Sequence, residues 1–64
     1  MRLTDFWARM DAHFGPAYAR SWAHDFRLAE LGGRTCDEAI VAGIETVAIW
    51  RAVWTHEGLP LSER

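Results

Sequence analysis

Three histidines, one cysteine and nine carboxylates are the side chains in this 64-residue sequence with the means for acid–base, nucleophilic or metal chemistry. Their spacing points away from all three. His13, His24 and His56 are well separated, and none lies four residues from another, the helical spacing that sets two imidazoles on one metal. His24 and Asp25 are neighbours, but on a helix of ~3.6 residues per turn such side chains point ~100° apart. That suits a surface His beside a capping or ion-pairing Asp, with Asp25 near enough to an aromatic stripe to meet an indole N–H or an Arg. Cys36 falls in the first turn of a helix, where the dipole lowers a thiol pKa, but Asp37 and Glu38 oppose that effect. An ordinary, partly exposed thiol is expected. There is no phosphate-binding glycine loop, no paired-carboxylate arrangement and no catalytic triad. A chain of this size is not expected to hold a pocket of ~300 Å³ or more. The sequence reads as a non-enzyme with no cofactor and no metal.

Recognition chemistry is better represented. Residues 35–53, TCDEAIVAGIETVAIWRAV, have the layout of a helix-turn-helix: Ala39 four before Gly43, Ile44 after it, Ile49 six after it, and Ala52 or Val53 closing the inner face. Laid in a major groove, the second helix would present positions near Glu45, Thr46, Val47, Trp50, Arg51 and Trp54. Base edges are read by Arg, Lys, Asn, Gln and small hydroxyl residues, and phosphates are held mainly by Arg and Lys. One Arg, one acid, one Val and two Trp make a poor surface for an affinity dominated by phosphate contacts.

The elements that must carry these residues are all helical. Leu3, Phe6, Trp7, Met10 and Phe14 share one arc of a first helix over about 4–14, with Thr4 as the expected N-cap and Asp5 favourably placed in its first turn. Gly15-Pro16 ends it and opens a second helix over about 16–31. Tyr18, Trp22, Phe26 and Ala29 form one stripe there. Leu28 and Leu31 lie on another side, so either the helix meets a second element or it bends or restarts near Phe26. Gly32-Gly33 stops it. Thr35 with Glu38 is a capping box opening a third helix over about 35–43. The fourth runs over about 46–57 and ends at Gly58, with Pro60 beyond. The tail LSER is expected to fray. The expectation is a single all-α domain over 1–64, a compact bundle of three to four short helices with a helix-turn-helix-like C-terminal hairpin.

Half the residues are hydrophobic, a quarter are charged, the net charge is −2, and all seven basic residues are Arg. Such a chain has no global attraction to nucleic acid or anionic lipid. No stretch approaches the ~20 apolar residues of a membrane span. The N-terminus does not resemble a signal peptide, and a lone Cys suits a reducing compartment, so a cytoplasmic location is expected. A domain this short buries only ~60% of its unfolded surface and is marginally stable unless something adds to it. One cysteine allows no internal disulfide, which leaves tight packing or association. Four Trp stand out, because each buries on the order of 200 Å² and needs an N–H partner when enclosed. Val47, Trp50 and Trp54 make a second apolar side on the last helix, opposite Ile49, Ala52 and Val53. Either that helix is central and covered on both sides, or part of its Trp side is exposed.

Met1-Arg2-Leu3-Thr4 with Phe6-Trp7, His13-Phe14-Gly15-Pro16-Ala17-Tyr18-Ala19 with Trp22 and Asp25, Leu31-Gly32-Gly33-Arg34-Thr35, Glu38-Ala39, Gly43 and Trp50-Arg51-Ala52 together resemble a family of small actinobacterial proteins known as domain of unknown function 3046. The resemblance covers almost the whole chain. Cys36 and Glu45-Thr46 are not part of the pattern. It implies a cytoplasmic protein and supplies no activity, cofactor or catalytic residue. It also implies a genomic neighbourhood shared with a DNA-repair recombinase and its regulator, and so a repair-linked protein partner. The function expected is a non-enzymatic interaction module that docks a protein partner or a second copy. Its protein-binding candidates are Val47, Trp50, Arg51, Trp54 and Arg34. The alternative is a helix-turn-helix DNA binder, and a third possibility is a domain that folds alone with no exposed patch.

Overall fold

The computed structural model describes all 64 residues and contains four α-helices and two short 3-10 turns, with no strand. Helix α1 spans Leu3–Phe14, α2 Pro16–Asp25, α3 Cys36–Val41 and α4 Thr46–Glu57. The 3-10 turns are Ala29–Leu31 and Leu61–Glu63. The all-α bundle expected from the sequence is the fold found.

Helix α1 starts a residue early, and its N-cap is Arg2 rather than Thr4. Asp5 decides this, because its carboxylate accepts from the Arg2 backbone N–H at 3.3 Å and pairs with the Arg2 guanidinium at 3.4 Å. Gly15, at φ +89°, separates α1 from α2, and Pro16 takes the first helical position of α2, where a missing N–H costs nothing.

Helix α2 ends at Asp25, six residues before the longer reading of the sequence, and the chain restarts near Phe26. Phe26 is extended, at φ −86° and ψ 125°. Leu28 then bridges to Arg34: the Leu28 N–H donates to the Arg34 carbonyl at 3.0 Å, and the Gly33 N–H returns to the Leu28 carbonyl at 2.9 Å. The reason is packing. Leu28 and Leu31 lie off the Trp22 stripe, and only a broken chain lets both turn into the same core as Trp22.

The Thr35 capping box forms as expected. Thr35 Oγ1 accepts from the Glu38 N–H at 3.1 Å, and Glu38 Oε1 accepts from the Thr35 N–H at 2.9 Å. Helix α3 stops at Val41, two residues short of its expected end, in a Schellman turn. The Gly43 N–H bonds the Ile40 carbonyl, the Ile44 N–H bonds the Ala39 carbonyl, and Gly43 has φ +80°. Helix α4 has the bounds expected and closes with the same turn at Gly58 and Leu59.

The core draws Phe6 and Met10 from α1, Ala19, Trp22 and Ala23 from α2, Leu28 and Leu31 from the loop, Cys36 and Ala39 from α3, and Ile49, Trp50, Ala52 and Val53 from α4. Helix α4 packs against α1, α3 and the Ala29–Leu31 turn, so it is the central element. Phe6, Ile49 and Val53 are fully buried, and each such side chain contributes about 1.5–3 kcal/mol by leaving water.

Candidate functional site

The expected docking face on α4 is largely closed by the chain itself. Trp50 is 1% exposed, which takes it out of any surface patch. Its indole N–H donates to the Glu63 carbonyl at 2.8 Å. Arg9 donates to the same carbonyl at 3.2 Å and lies 5.6 Å from the Trp50 ring centroid. Trp54 is half-buried, and its N–H donates to the Pro60 carbonyl at 2.9 Å, with the Arg64 guanidinium 5.8 Å from its ring. The segment expected to fray, Leu61–Arg64, is therefore the cover of this face, and Leu59 packs on the core. Val47 is half-buried. Arg51 is exposed and makes no ion pair or side-chain hydrogen bond. Arg34 sits apart from α4 in the 28–34 loop, where it donates to the Leu31 carbonyl at 3.1 Å. The five candidates do not form one surface.

The four indoles are covered in three ways. Trp7 lies under the Arg20 guanidinium, 3.7 Å from its centroid, a cation–π contact that also lays an aliphatic stem over the ring. Trp50 and Trp54 use the tail. Trp22 is sandwiched between Phe14, at 4.4 Å and 26°, and Phe26, at 4.9 Å and 10°.

That sandwich leads to the aromatic surface the chain does leave open, on α2 and its C-cap residue Phe26. Tyr18 is 57% exposed and packs edge-on against Phe14, while Phe26 is 36% exposed and tilts against His56. Tyr18, Ser21, Trp22, Asp25 and Phe26 line a slot of about 190 Å³ between the two exposed rings. Trp22 is 7% exposed, and its indole N–H has no acceptor in the chain. The one sealed side-chain polar atom without a partner is an Asp11 carboxylate oxygen, so the Trp22 N–H opens to solvent. The sequence places Tyr18, Trp22, Phe26 and Ala29 on one stripe but does not mark that stripe as exposed. The signal for exposure is that Phe26 falls at the break, where the helix no longer holds it against α1.

The titratable groups are paired locally. His13 Nε2 and Glu57 Oε1 are 2.8 Å apart, joining the ends of α1 and α4, and His56 stands 3.8 Å from the other Glu57 oxygen. This cluster was not foreseen, since 44 residues separate its main partners. His24 and Asp25 do meet, at 2.8 Å, on the exposed surface, and the hydrogen bond and the charge of Asp25 raise the His24 pKa. Glu38 is held below its ordinary value, chiefly by the Thr35 N–H. Cys36 is fully buried, not partly exposed as its first-turn position suggested. Burial first, and Asp37 second, push its thiol up to about 12. No three His, Cys, Asp or Glu groups converge to hold a metal ion.

Size did not exclude a large concavity. An open groove of about 470 Å³ lies between the end of α2 and α3, lined by His24, Arg27, Thr35, Asp37, Glu38, Val41 and Ala42. Its cations are committed: Arg27 donates to Glu38 at 2.8 Å and to the Gly33 carbonyl at 3.2 Å. The α3–α4 hairpin has the corner of a helix-turn-helix, with Ala39 and Ile49 buried and Gly43 at the turn. The exposed positions of α4 are Glu45 at its cap, Ala48, Arg51, Thr55 and His56, among which Arg51 is the single permanent cation. No helix is long and apolar enough to cross a membrane.

A family model described as a protein of unknown function (DUF3046) matches residues 1–62. No curated protein and no solved structure matches the chain.

Proposed function

This chain belongs to the DUF3046 family, and we propose that it is a small protein-docking module whose contact surface is the aromatic face of α2. The observation that carries this reading is the exposure of Tyr18 and Phe26 on either side of a slot floored by Trp22, in a domain that covers its other indoles with arginines and its own tail. Exposed Tyr beside an indole that is nearly but not fully covered is the composition of an interaction hot spot. Phe26 is held by stacking on Trp22 and Tyr18 by an edge-on contact with Phe14, so little side-chain entropy is lost when a partner covers them. No arrangement of nucleophile, base and oxyanion donors accompanies the slot, which favours binding over catalysis.

The test replaces Tyr18 with a photoreactive benzoylphenylalanine and irradiates the protein in its native cytosol. A discrete adduct to one protein, or to a second copy, that is lost on Phe26→Asp is the expected outcome. Absence of any discrete adduct refutes the reading.

The helix-turn-helix reading is favoured by the Gly43 corner, and it differs in salt response. Phosphate contacts weaken steeply as salt rises, and with Arg51 as the one free cation of α4 the expected duplex retention at low salt is nil.

A further inference from the structure

We propose that residues Pro60–Arg64 form a releasable strap over α4, which closes on Trp50 and Trp54 in the main state and lifts as a unit, hinged at Leu59, while the helices stay folded. The strap shares no residue with the α2 slot, so it stands or falls independently of docking there.

Every hydrogen bond between this segment and the rest of the chain runs one way. The Trp50 indole N–H donates to the Glu63 carbonyl at 2.8 Å, Arg9 donates to the same carbonyl at 3.2 Å, and the Trp54 indole N–H donates to the Pro60 carbonyl at 2.9 Å. The segment donates nothing in return. Pro60 has no N–H. The N–H groups of Glu63 and Arg64 are spent inside the segment, on the Pro60 carbonyl at 2.9 Å and the Leu61 carbonyl at 3.1 Å. The turn therefore keeps its own bonds when it lifts, and the donors it leaves behind on the helices pass to water.

Little apolar surface holds the segment down. All of its residues are exposed, and Leu61, its one large apolar side chain, is 74% exposed. An open crevice of about 190 Å³, lined by Arg9, Ala12, Trp50, Ser62 and Glu63, remains between the turn and the helices. The fit is loose there, unlike the close packing of a core. Leu59 differs: it packs on the core, and its N–H bonds the Trp54 carbonyl at 3.1 Å, which fixes the hinge just beyond it. A segment with few buried apolar contacts and an exposed backbone opens locally, at a lower cost than unfolding of the whole domain.

The two indole hydrogen bonds, of ordinary net strength, favour closure on the order of 30-fold, and the solvent-exposed Arg9 bond adds less. Roughly 3% of molecules then stand open, an ordinary population for a minor state. In them the edges of Trp50 and Trp54, about one helical turn apart, meet water with both donors free. The indole side of α4 is thus a gated surface, hidden in the main state and bared in the minor one.

The experiment is hydrogen exchange of the indole N–H groups in the full, isotopically labelled chain, followed by NMR at rising urea below the unfolding transition. Each indole resonance is assigned by its loss in Trp22→Phe, Trp50→Phe or Trp54→Phe. Trp22, whose N–H has no acceptor, is the unprotected reference, and the backbone amides of the fully buried Ile49 and Val53 report global unfolding. Relative to Trp22, the Trp50 and Trp54 indoles should be protected ~10–100-fold, by factors that agree within about threefold and barely change with urea. The core amides should be protected more strongly and lose protection steeply as urea rises. Arg9→Ala, at an exposed position, should lower both indole protections several-fold, although Arg9 touches the segment only at Glu63. Trp50 protection equal to that of Ile49, with the same urea dependence, overturns the proposal, because the segment then leaves only when the domain unfolds. Protection no greater than that of Trp22 also overturns it, because the segment is then not closed. Trp50 and Trp54 factors outside the stated agreement, or an Arg9→Ala effect confined to Trp50, overturn the lifting as a unit.

Discussion

Deleting residues 60–64 removes both carbonyls that accept the Trp50 and Trp54 N–H groups, and the size of the resulting loss follows from the structure. Each hydrogen bond contributes a net ~0.5–1.5 kcal/mol, so the pair is worth about 2 kcal/mol before any apolar area is counted. In a domain of 60–100 residues a change of ~1 kcal/mol shifts Tm by ~4–8 °C, so the truncated chain is expected to melt ~8–16 °C lower. Trp50, now open to water, should also red-shift the fluorescence. Thermal unfolding followed by circular dichroism measures the first effect. A double-mutant cycle isolates the hydrogen bond: Trp50→Phe destabilises the full chain by ~1 kcal/mol more than it destabilises the truncated one, because only the full chain has a bond to lose. A truncated chain melting within ~2 °C of the full one, with additive Trp50→Phe effects, would refute the claim that the tail covers this face.

Other outcomes follow from the same coordinates. Thr35→Ala breaks the capping box at a nearly buried position and should cost ~1 kcal/mol, read as a Tm loss of ~4–8 °C. Ile49→Ala empties part of a fully buried site and should cost ~2–5 kcal/mol, enough to unfold much of a marginal domain in chemical denaturation. Cys36 should resist a thiol-specific disulfide reagent at pH 8 until denaturant is added. Its raised pKa means that the fold favours the protonated thiol, so that contribution is whole below about pH 9 and falls as pH rises toward 12, a decline that Cys36→Ala removes. Glu38 has the opposite sign. Its lowered pKa contributes stability that is present above about pH 4.5 and is lost as pH falls through the lowered value, so Glu38→Gln should flatten that part of the acid limb in pH-dependent unfolding.

The helix boundaries that glycine and capping chemistry write into side chains were legible: Gly15-Pro16, the Thr35 and Glu38 box, Gly43 and Gly58 all do in space what their types imply. The break at Phe26 was legible only as an alternative, because the periodicity of Leu28 and Leu31 disagrees with that of Trp22 without saying where the chain yields. The start of α1 went to Arg2 because a side chain at the third helical position captured a backbone N–H, which no preference for Thr caps anticipates. The site was less legible. Counting indoles against a small core was sound as arithmetic, but the cover for Trp50 comes from main-chain carbonyls, which every residue has and no pattern of side chains advertises. The arginines that roof Trp7, Trp50 and Trp54 come from positions 13, 41 and 10 residues away in sequence, beyond the reach of local periodicity. The exposed ridge of Tyr18 and Phe26 was in view as a stripe, and its outward half became visible only once α2 was known to end early.

The two tail contacts have an evolutionary corollary. A latch made of carbonyl oxygens is indifferent to the letters that carry it, so Leu61 and Ser62 can drift widely while the closure persists. Shortening or rerouting the segment cannot be tolerated in the same way. Sequence variability across this stretch would thus be a poor measure of its importance, and deletion series rather than side-chain scans are the instrument suited to it.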